Sequence, residues 1–231
     1  MGDSIEFLQP DVRPLLAIED LSKGFTLHAA DRRVRGCEHI SLSVLPGEFV
    51  GVTGRSGSGK STILKCIYRT NLPESGHIVY DSEAFGPVDL ATLDERRVIY
   101  LRNYEIGYVS QFLDAVPRTT AREIVRASAT EAFADEDAIE EETTRMLEHF
   151  DFPKPLWDLY PNTFSGGEKL RLNIARAMVR RPRLLLLDEP TASLDNASKV
   201  RVRDLIEQLK AGGTTMLGIF HDLEFMEGVC D

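Results

Sequence analysis

The sequence has few cysteines, no long apolar run and no recognisable export signal. Its three cysteines are an odd number without a C-x-x-C pair, so neither a disulfide framework nor a zinc knuckle is expected. The longest nearly pure apolar run, residues 184–187, has four residues, whereas a membrane-spanning helix needs about 20. The N-terminus, MGDSIEFLQP, carries acids instead of a basic stretch followed by an apolar block. We therefore expect a cytoplasmic protein with reduced thiols.

An excess of basic residues is also missing. The 231 residues include 27 Lys+Arg and 37 Asp+Glu, which gives a formal net charge of −10. Bulk attraction to nucleic acid or anionic lipid is not expected at this charge, and we predict no nucleic-acid partner. Apolar residues make up 42% of the chain, which is enough to bury the core of one large or two small domains.

Strand and helix patterns alternate along most of the chain. Apolar β-type runs occupy 15–21, 40–44 and 48–53, and the last of these leads into a glycine-rich loop and a helical pattern. Later strands are expected at 184–187 and 215–220, each followed by a helical pattern. This alternation predicts an α/β fold with a mostly parallel sheet.

The middle of the chain has a different pattern. From about Thr119 to Pro161 the β-type runs disappear, and residues 135–150 carry apolar side chains at helical spacing. Residues 151–161 contain three prolines, which should interrupt a helix and form a connector. We predict a helical insertion at about 119–161.

A phosphate-binding loop is predicted between a strand and a helix. Residues 54–61, GRSGSGKS, fit G-x-x-x-x-G-K-[ST]. In such a loop backbone N–H groups surround a β-phosphate, Lys60 reaches the β- and γ-phosphate oxygens, and Ser61 can bind Mg²⁺. The candidate phosphate-binding residues are Gly54, Ser56, Gly57, Gly59, Lys60, Ser61 and Thr62.

Two carboxylates follow the apolar run 184–187. Because the carboxyl ends of parallel strands form the edge where nucleotides bind, Asp188 and Glu189 are candidates for that site. Asp188 would hold Mg²⁺ through water, and Glu189 would orient and deprotonate the attacking water.

A second candidate anion site is the segment 164–168, FSGGE, which precedes a helical pattern. Exposed N–H groups and a serine hydroxyl at a helix start can bind an anion. Taken alone, the segment is explained better by an ordinary serine N-cap than by an anion site.

Together these motifs resemble, in order and spacing, an ABC-type ATPase domain. In that family FSGGE is similar to the signature sequence, which implies nucleotide contacts for Ser165, Gly166, Gly167 and Glu168. The resemblance further implies roles for four residues: the Q-loop Gln111, which monitors Mg²⁺ and the attacking water, the D-loop Asp195, the γ-phosphate sensor His221, and Phe25, which stacks on adenine. The implied catalytic residues are thus Lys60, Gln111, Glu189 and His221, and the implied metal-binding residues are Ser61, Gln111 and Asp188.

The resemblance also implies a P-loop NTPase fold and an assembly. A single domain, 1–231, would contain a RecA-like core and an antiparallel β portion in 1–118 and 162–231, with a helical subdomain at about 119–161. Two such ATPases, identical or related, would enclose ATP and Mg²⁺ between them, and the signature of one would complete the site of the other. Family members commonly continue with another strand and helix, so we expect the end at Asp231 to reflect a trimmed variant or a truncated chain.

Two functions remain open at this point. Segments 106–113, 163–176 and 218–222 resemble the ATP-binding subunits associated with bacterial carbon–phosphorus lyase, which implies soluble phosphonate-metabolism partners. The alternative is the ATPase subunit of a membrane transporter of the lipoprotein-release or macrolide-exporter type, which would contact a membrane partner in the groove after Gln111.

Overall fold

The computed structural model describes residues 13–27, 32–55, 57–110, 113, 117–192 and 194–231. Its helices and strands, in chain order, are β1 (Leu16–Leu27), β2 (Arg32–Val44), β3 (Phe49–Val52), α1 (Lys60–Ile67), β4 (Ser75–Ser82), β5 (Gly86–Asp89), α2 (Glu95–Tyr104), β6 (Ile106–Val109), α3 (Ala121–Ala132), α4 (Glu136–His149), α5 (Gly166–Met178), β7 (Leu184–Asp188), α6 (Asn196–Ala211), β8 (Thr215–Ile219) and α7 (Leu223–Met226). Short 3₁₀ helices cover Lys154–Leu156 and Pro161–Thr163.

The strands form two sheets. One is antiparallel, in the order β2-β1-β4-β5, and the other is parallel, in the order β3-β8-β7-β6. The α/β fold and the antiparallel β portion predicted from the sequence are therefore confirmed. Because the strands of the second sheet run in one direction, their carboxyl ends share one edge.

The apolar run 184–187 is the centre of the parallel sheet. All five residues of β7 and all five of β8 are buried, and β7 lies between β8 and β6. Strands covered on both faces need continuous apolar sequence, which explains the four consecutive leucines. Burial of one leucine side chain contributes roughly 1.5–3 kcal/mol, so β7 is a rigid support for the carboxylates at its end.

Helices α3 and α4 pack on each other and on α5. Each of the first two begins at a side-chain cap: Thr120 forms a capping box with Glu123, and Asp135 accepts from the backbone N–H of Ala138. Their buried faces join the signature helix α5 in one apolar cluster that includes Ile124, Leu147 and Leu172. No helix in the described part of the chain is both long and apolar enough to span a membrane.

The cysteines are free thiols, two of them buried. Burial raises the pKa of the Cys66 thiol from 9.0 to about 11. Since the thiolate is the nucleophile, a pKa raised by two units reduces the thiolate fraction about 100-fold at a pH below both values.

We predict that Cys66 reacts with iodoacetamide at pH 8 at least about 100-fold more slowly in the native chain than in denaturant. Peptide mass mapping measures both rates, and equal rates would contradict the buried position.

Candidate active site

The phosphate loop joins β3 to α1 and lies against β2. Gly59, the N-cap residue of α1, has φ +88°, a backbone conformation that L side chains rarely adopt. A Cβ atom at Gly59 would lie 1.4 Å from the carbonyl oxygen of Gly36. The loop therefore needs glycine at this position for two reasons, its dihedral angles and its contact with the β2 backbone.

Lys60 crosses the loop that precedes it. Its ammonium donates to the carbonyl oxygens of Gly54 at 2.8 Å and Arg55 at 3.0 Å, and the residue is 6% exposed. The Thr62 N–H donates to the Gly59 carbonyl, whereas the N–H groups of Lys60 and Ser61, the first two of α1, have no acceptor within the helix. A positive side chain and a helix N-terminus thus meet at one point, which favours a phosphate group.

Ser61, Tyr108 and Asp188 form a hydrogen-bonded group beside the loop. The Ser61 hydroxyl donates to Asp188 Oδ1 at 2.8 Å, and the Tyr108 hydroxyl donates to Asp188 Oδ2 at 2.6 Å. Tyr108 lies in β6 and Asp188 ends the neighbouring β7. Burial, followed by the hydrogen bond to Asp188, raises the pKa of Tyr108 far above its ordinary value, so its hydroxyl remains a donor at physiological pH.

This group fits Mg²⁺. Hydroxyl and carboxylate oxygens are ligands that Mg²⁺ prefers, and the ion is usually held by one or two protein groups together with phosphate oxygens and water. Because the Ser61 proton points towards Asp188, the lone pairs of its oxygen are available to a cation.

Glu189 and His221 form a second pair on the same sheet edge. His221 Nε2 and Glu189 Oε1 are 2.7 Å apart, and the two residues line a cleft of about 480 Å³. Glu189 has φ +52°, a strained conformation for a non-glycine residue that costs roughly 1–3 kcal/mol. Strain of this kind is concentrated at functional sites. Glu189 pairs with His221, whereas the neighbouring Asp188 pairs with Ser61 and Tyr108.

Phe25 lies beside the phosphate-loop helix. It pairs with Val34 across the β1–β2 hairpin. A Cβ atom built on Gly36 would meet both the Phe25 ring, at 2.8 Å, and the Thr62 methyl group, at 3.0 Å. The half-buried ring is therefore next to the first turn of α1, where a flat base could stack on it.

The FSGGE segment begins α5. Ser165 is the N-cap residue, and it forms a capping box with Glu168: the Ser165 hydroxyl accepts from the Glu168 N–H, and the Glu168 carboxylate accepts from the Ser165 N–H. Ser165 and Gly166 are exposed. The ordinary capping function is thus present, and it leaves the start of α5 accessible on the surface.

Asp195 begins α6. Its carboxylate accepts from the Ser198 backbone N–H at 2.7 Å, and this hydrogen bond lowers the pKa of Asp195. A Cβ atom on Gly167 would lie 3.2 Å from the Ser198 hydroxyl. The first turns of α5 and α6 therefore contact each other.

Two of the candidate site residues, Ser56 and Gln111, lie outside the described residues.

Asn173, which the sequence did not single out, connects α5 to the end of β6. The side chain is 1% exposed, donates to the Ser110 carbonyl at 3.1 Å and accepts from Arg176 at 2.8 Å. Ser110 directly precedes Gln111, so this contact links the signature helix to the beginning of the predicted Q-loop.

Replacing Asn173 by Ala should destabilise the chain by about 1–3 kcal/mol, because the substitution removes a buried amide and its hydrogen bonds to Ser110 and Arg176. Urea unfolding followed by circular dichroism measures this loss. The exposed Asn162 is the matched control, and Asn162→Ala should change stability by less than about 0.5 kcal/mol. Equal effects of the two substitutions would contradict a structural link through Asn173.

These features define a P-loop ATPase: a parallel sheet edge, a lysine-bearing loop, the hydrogen-bonded group around Asp188 and the Glu189–His221 pair. The family profile described as "ABC transporter" matches residues 37–192. The chain belongs to the ABC transporter family and is an ATPase domain of it.

Curated relatives align with nearly the whole chain. The methionine import ATP-binding protein MetN of Haemophilus influenzae is 30% identical over 94% of this chain and 61% of its own length. The macrolide export ATP-binding/permease protein MacB of Brucella abortus is 33% identical over 93% of this chain and 32% of its own length. The chain thus spans less than two thirds of either relative.

A solved structure supports the fold. The dimeric, post-hydrolysis ATP-binding cassette MJ0796, bound to ADP and Pi, superposes with a TM-score of 0.81 at 26% identity, covering 91% of this chain and 89% of that chain.

Proposed function

We propose that this chain is the ATP-hydrolysing component of a membrane transporter and acts in the cytoplasm. The observation that carries the proposal is the alignment of an import and an export ATP-binding protein over 93–94% of the chain. The contacts at the sheet edge support it, because they supply the groups that hydrolysis of a phosphoanhydride needs.

Each group of the site has a proposed role in hydrolysis. Lys60 and the N–H groups at the start of α1 hold the phosphates, and Ser61 and Asp188 hold Mg²⁺ together with Gln111. Bound Mg²⁺ neutralises charge that develops on the β- and γ-phosphate oxygens. Glu189 accepts a proton from the attacking water, and His221, 2.7 Å from Glu189, contacts the γ-phosphate.

The adenine and the second half of the site complete the proposal. The Phe25 ring stacks on adenine. Ser165, Gly166 and Gly167 contact the nucleotide bound by a second ATPase, and Asp195 lies at the same interface. The exposed start of α5 and the dimer formed by MJ0796 support this arrangement.

The groove along β6, the strand that precedes Gln111 in the sequence, is a candidate contact for the membrane partner. It has a volume of about 350 Å³ and lies between α3, α5 and β6. Ala127 of α3 is exposed on its wall. A helical segment of the transporter bound here would contact β6, the strand that precedes Gln111 in the sequence.

The expected association with carbon–phosphorus lyase is the second candidate. Its support is the resemblance of the segments 106–113, 163–176 and 218–222. The relatives described above carry the names of transport proteins, which give the lyase role no support. We therefore rank the transporter function first.

Affinity purification of the tagged chain from its native host, with and without detergent, tests the proposal. We expect mass spectrometry to identify a polytopic membrane protein only in the detergent extract. Ala127→Arg, which places a long charged side chain in the groove, should abolish this capture without lowering the melting temperature. Recovery of soluble phosphonate-metabolism subunits without detergent, by both baits, would overturn the transporter proposal.

A further inference from the structure

Tyr108 is the second hydroxyl donor to Asp188. It donates to Oδ2 at 2.6 Å, and Ser61 donates to the other oxygen, Oδ1, at 2.8 Å. Each oxygen therefore has its own donor, and rotation of the carboxylate about its Cβ–Cγ bond would break both hydrogen bonds. The two hydroxyls together fix the plane of the carboxylate.

The Tyr108 ring is held by packing as well as by this hydrogen bond. It contacts the Tyr68 ring, with centroids 5.0 Å apart and planes inclined at 40°. Arg102 lies over the other ring, 4.8 Å from the Tyr68 centroid, and its Nε donates to the Tyr68 carbonyl at 2.7 Å. The position of the Tyr108 hydroxyl is therefore set by the C-cap residue of α1 and by α2, and it does not depend on Asp188 alone.

The burial of Asp188 makes this donor important. The residue is 7% exposed, so water cannot easily replace a lost donor at Oδ2. Loss of a group that orients a metal-binding side chain typically lowers metal affinity or activity about 10- to 100-fold. Ser61 has a second proposed role as a metal ligand, whereas Tyr108 acts only on the carboxylate.

We propose that Tyr108 is a positioning residue that holds the Asp188 carboxylate in the orientation required for the divalent cation. The inference rests on the proposed metal-binding role of Ser61 and Asp188. It assigns to a β6 side chain a part in metal binding that none of the sequence motifs contains.

The test compares Tyr108→Phe with Tyr68→Phe in the full chain. Each substitution removes one hydroxyl from the same pair of contacting rings, and only the first removes a donor from Asp188. Mn²⁺ is titrated into chain loaded with one equivalent of ADP, and free Mn²⁺ is followed by electron paramagnetic resonance. ADP binding and thermal unfolding are measured separately in EDTA.

We expect Tyr108→Phe to raise the half-saturating Mn²⁺ concentration about 10- to 100-fold, with ADP binding in EDTA unchanged. Tyr68→Phe should match the wild type in every measurement. An unchanged Mn²⁺ midpoint in Tyr108→Phe would overturn the inference, as would an equal loss of ADP binding in EDTA.

Asp188→Asn separates the role of Tyr108 from the proposed metal-binding role of Asp188. If this variant raises the Mn²⁺ midpoint and Tyr108→Phe does not, only the role of Tyr108 fails. If Asp188→Asn also leaves the midpoint unchanged, the proposed metal-binding role of Asp188 fails with it.

Discussion

Replacing Glu189 by Gln should stop ATP hydrolysis while leaving ATP binding intact. The substitution keeps the size of the side chain and an oxygen that can pair with His221, which lies 2.7 Å from the carboxylate. An amide cannot accept the proton of the attacking water, so the chemical step loses its general base. We expect phosphate release to fall by at least about 100-fold and the ATP-bound dimer to accumulate, which size-exclusion chromatography with ATP detects.

Glu224→Gln is the matched control for this experiment. Glu224 is an exposed carboxylate on the same cleft, and its neutralisation changes the local charge by the same amount. This variant should hydrolyse ATP at the wild-type rate. If Glu189→Gln also retained the wild-type rate, another group would have to activate the water.

The parts of the site predicted from sequence are those encoded locally. The phosphate loop depends on residues 54–61, and its glycines and lysine act within one turn of the chain. The β7 strand and its two carboxylates depend likewise on six consecutive residues, 184–189. In both places the functional side chains and the backbone that carries them are neighbours in sequence. A short sequence pattern is therefore sufficient to predict them.

Tyr108 and Asn173 could not be found in this way. The hydroxyl of Tyr108 reaches a carboxylate 80 residues away, and the amide of Asn173 reaches a carbonyl 63 residues away. The sequence around each residue contains no sign of its partner. Only the pairing of β6 with β7 and the packing of α5 on β6 bring these groups together.

The strands of the antiparallel sheet are longer than the sequence pattern indicates. The predicted run 15–21 covers only the first part of β1, and the run 40–44 covers only the last part of β2. Asp20 and His39 have positive φ values, 52° and 51°, and the strand register shifts near them. An irregularity of this kind interrupts the period of two that identifies a strand.

Helix α2 was missed for a different reason. It spans Glu95–Tyr104 but buries only Val98 and Leu101. Two apolar contacts in ten residues do not make the stripe by which a helix is recognised. The sequence feature that indicates the start of this helix is its N-cap residue Asp94, whose carboxylate accepts from the Arg97 N–H.

Mixing two inactive variants should restore hydrolysis, because each proposed site combines Lys60 of one chain with the signature of another. Lys60→Ala removes the phosphate-binding ammonium. Gly166→Asp adds a negative charge at the first turn of α5, where it suits the helix dipole but repels a phosphate. Each variant alone should be inactive. In a mixed dimer one site keeps both a native Lys60 and a native Gly166, so an equimolar mixture should reach about a quarter of the wild-type rate if sites act independently.

The same mixture shows whether the signature serves the nucleotide bound by its own chain or the nucleotide bound by the partner chain. If Gly166 served the nucleotide bound by its own chain, every site in the mixture would contain one of the two substitutions and phosphate release would stay at the background level. Wild type mixed with excess Lys60→Ala forms dimers with one intact site, and their rate is the control. If hydrolysis requires two working sites, this control is also inactive, which identifies that requirement separately. Recovery scaled to that control would establish that the exposed start of α5 acts across the interface between two chains.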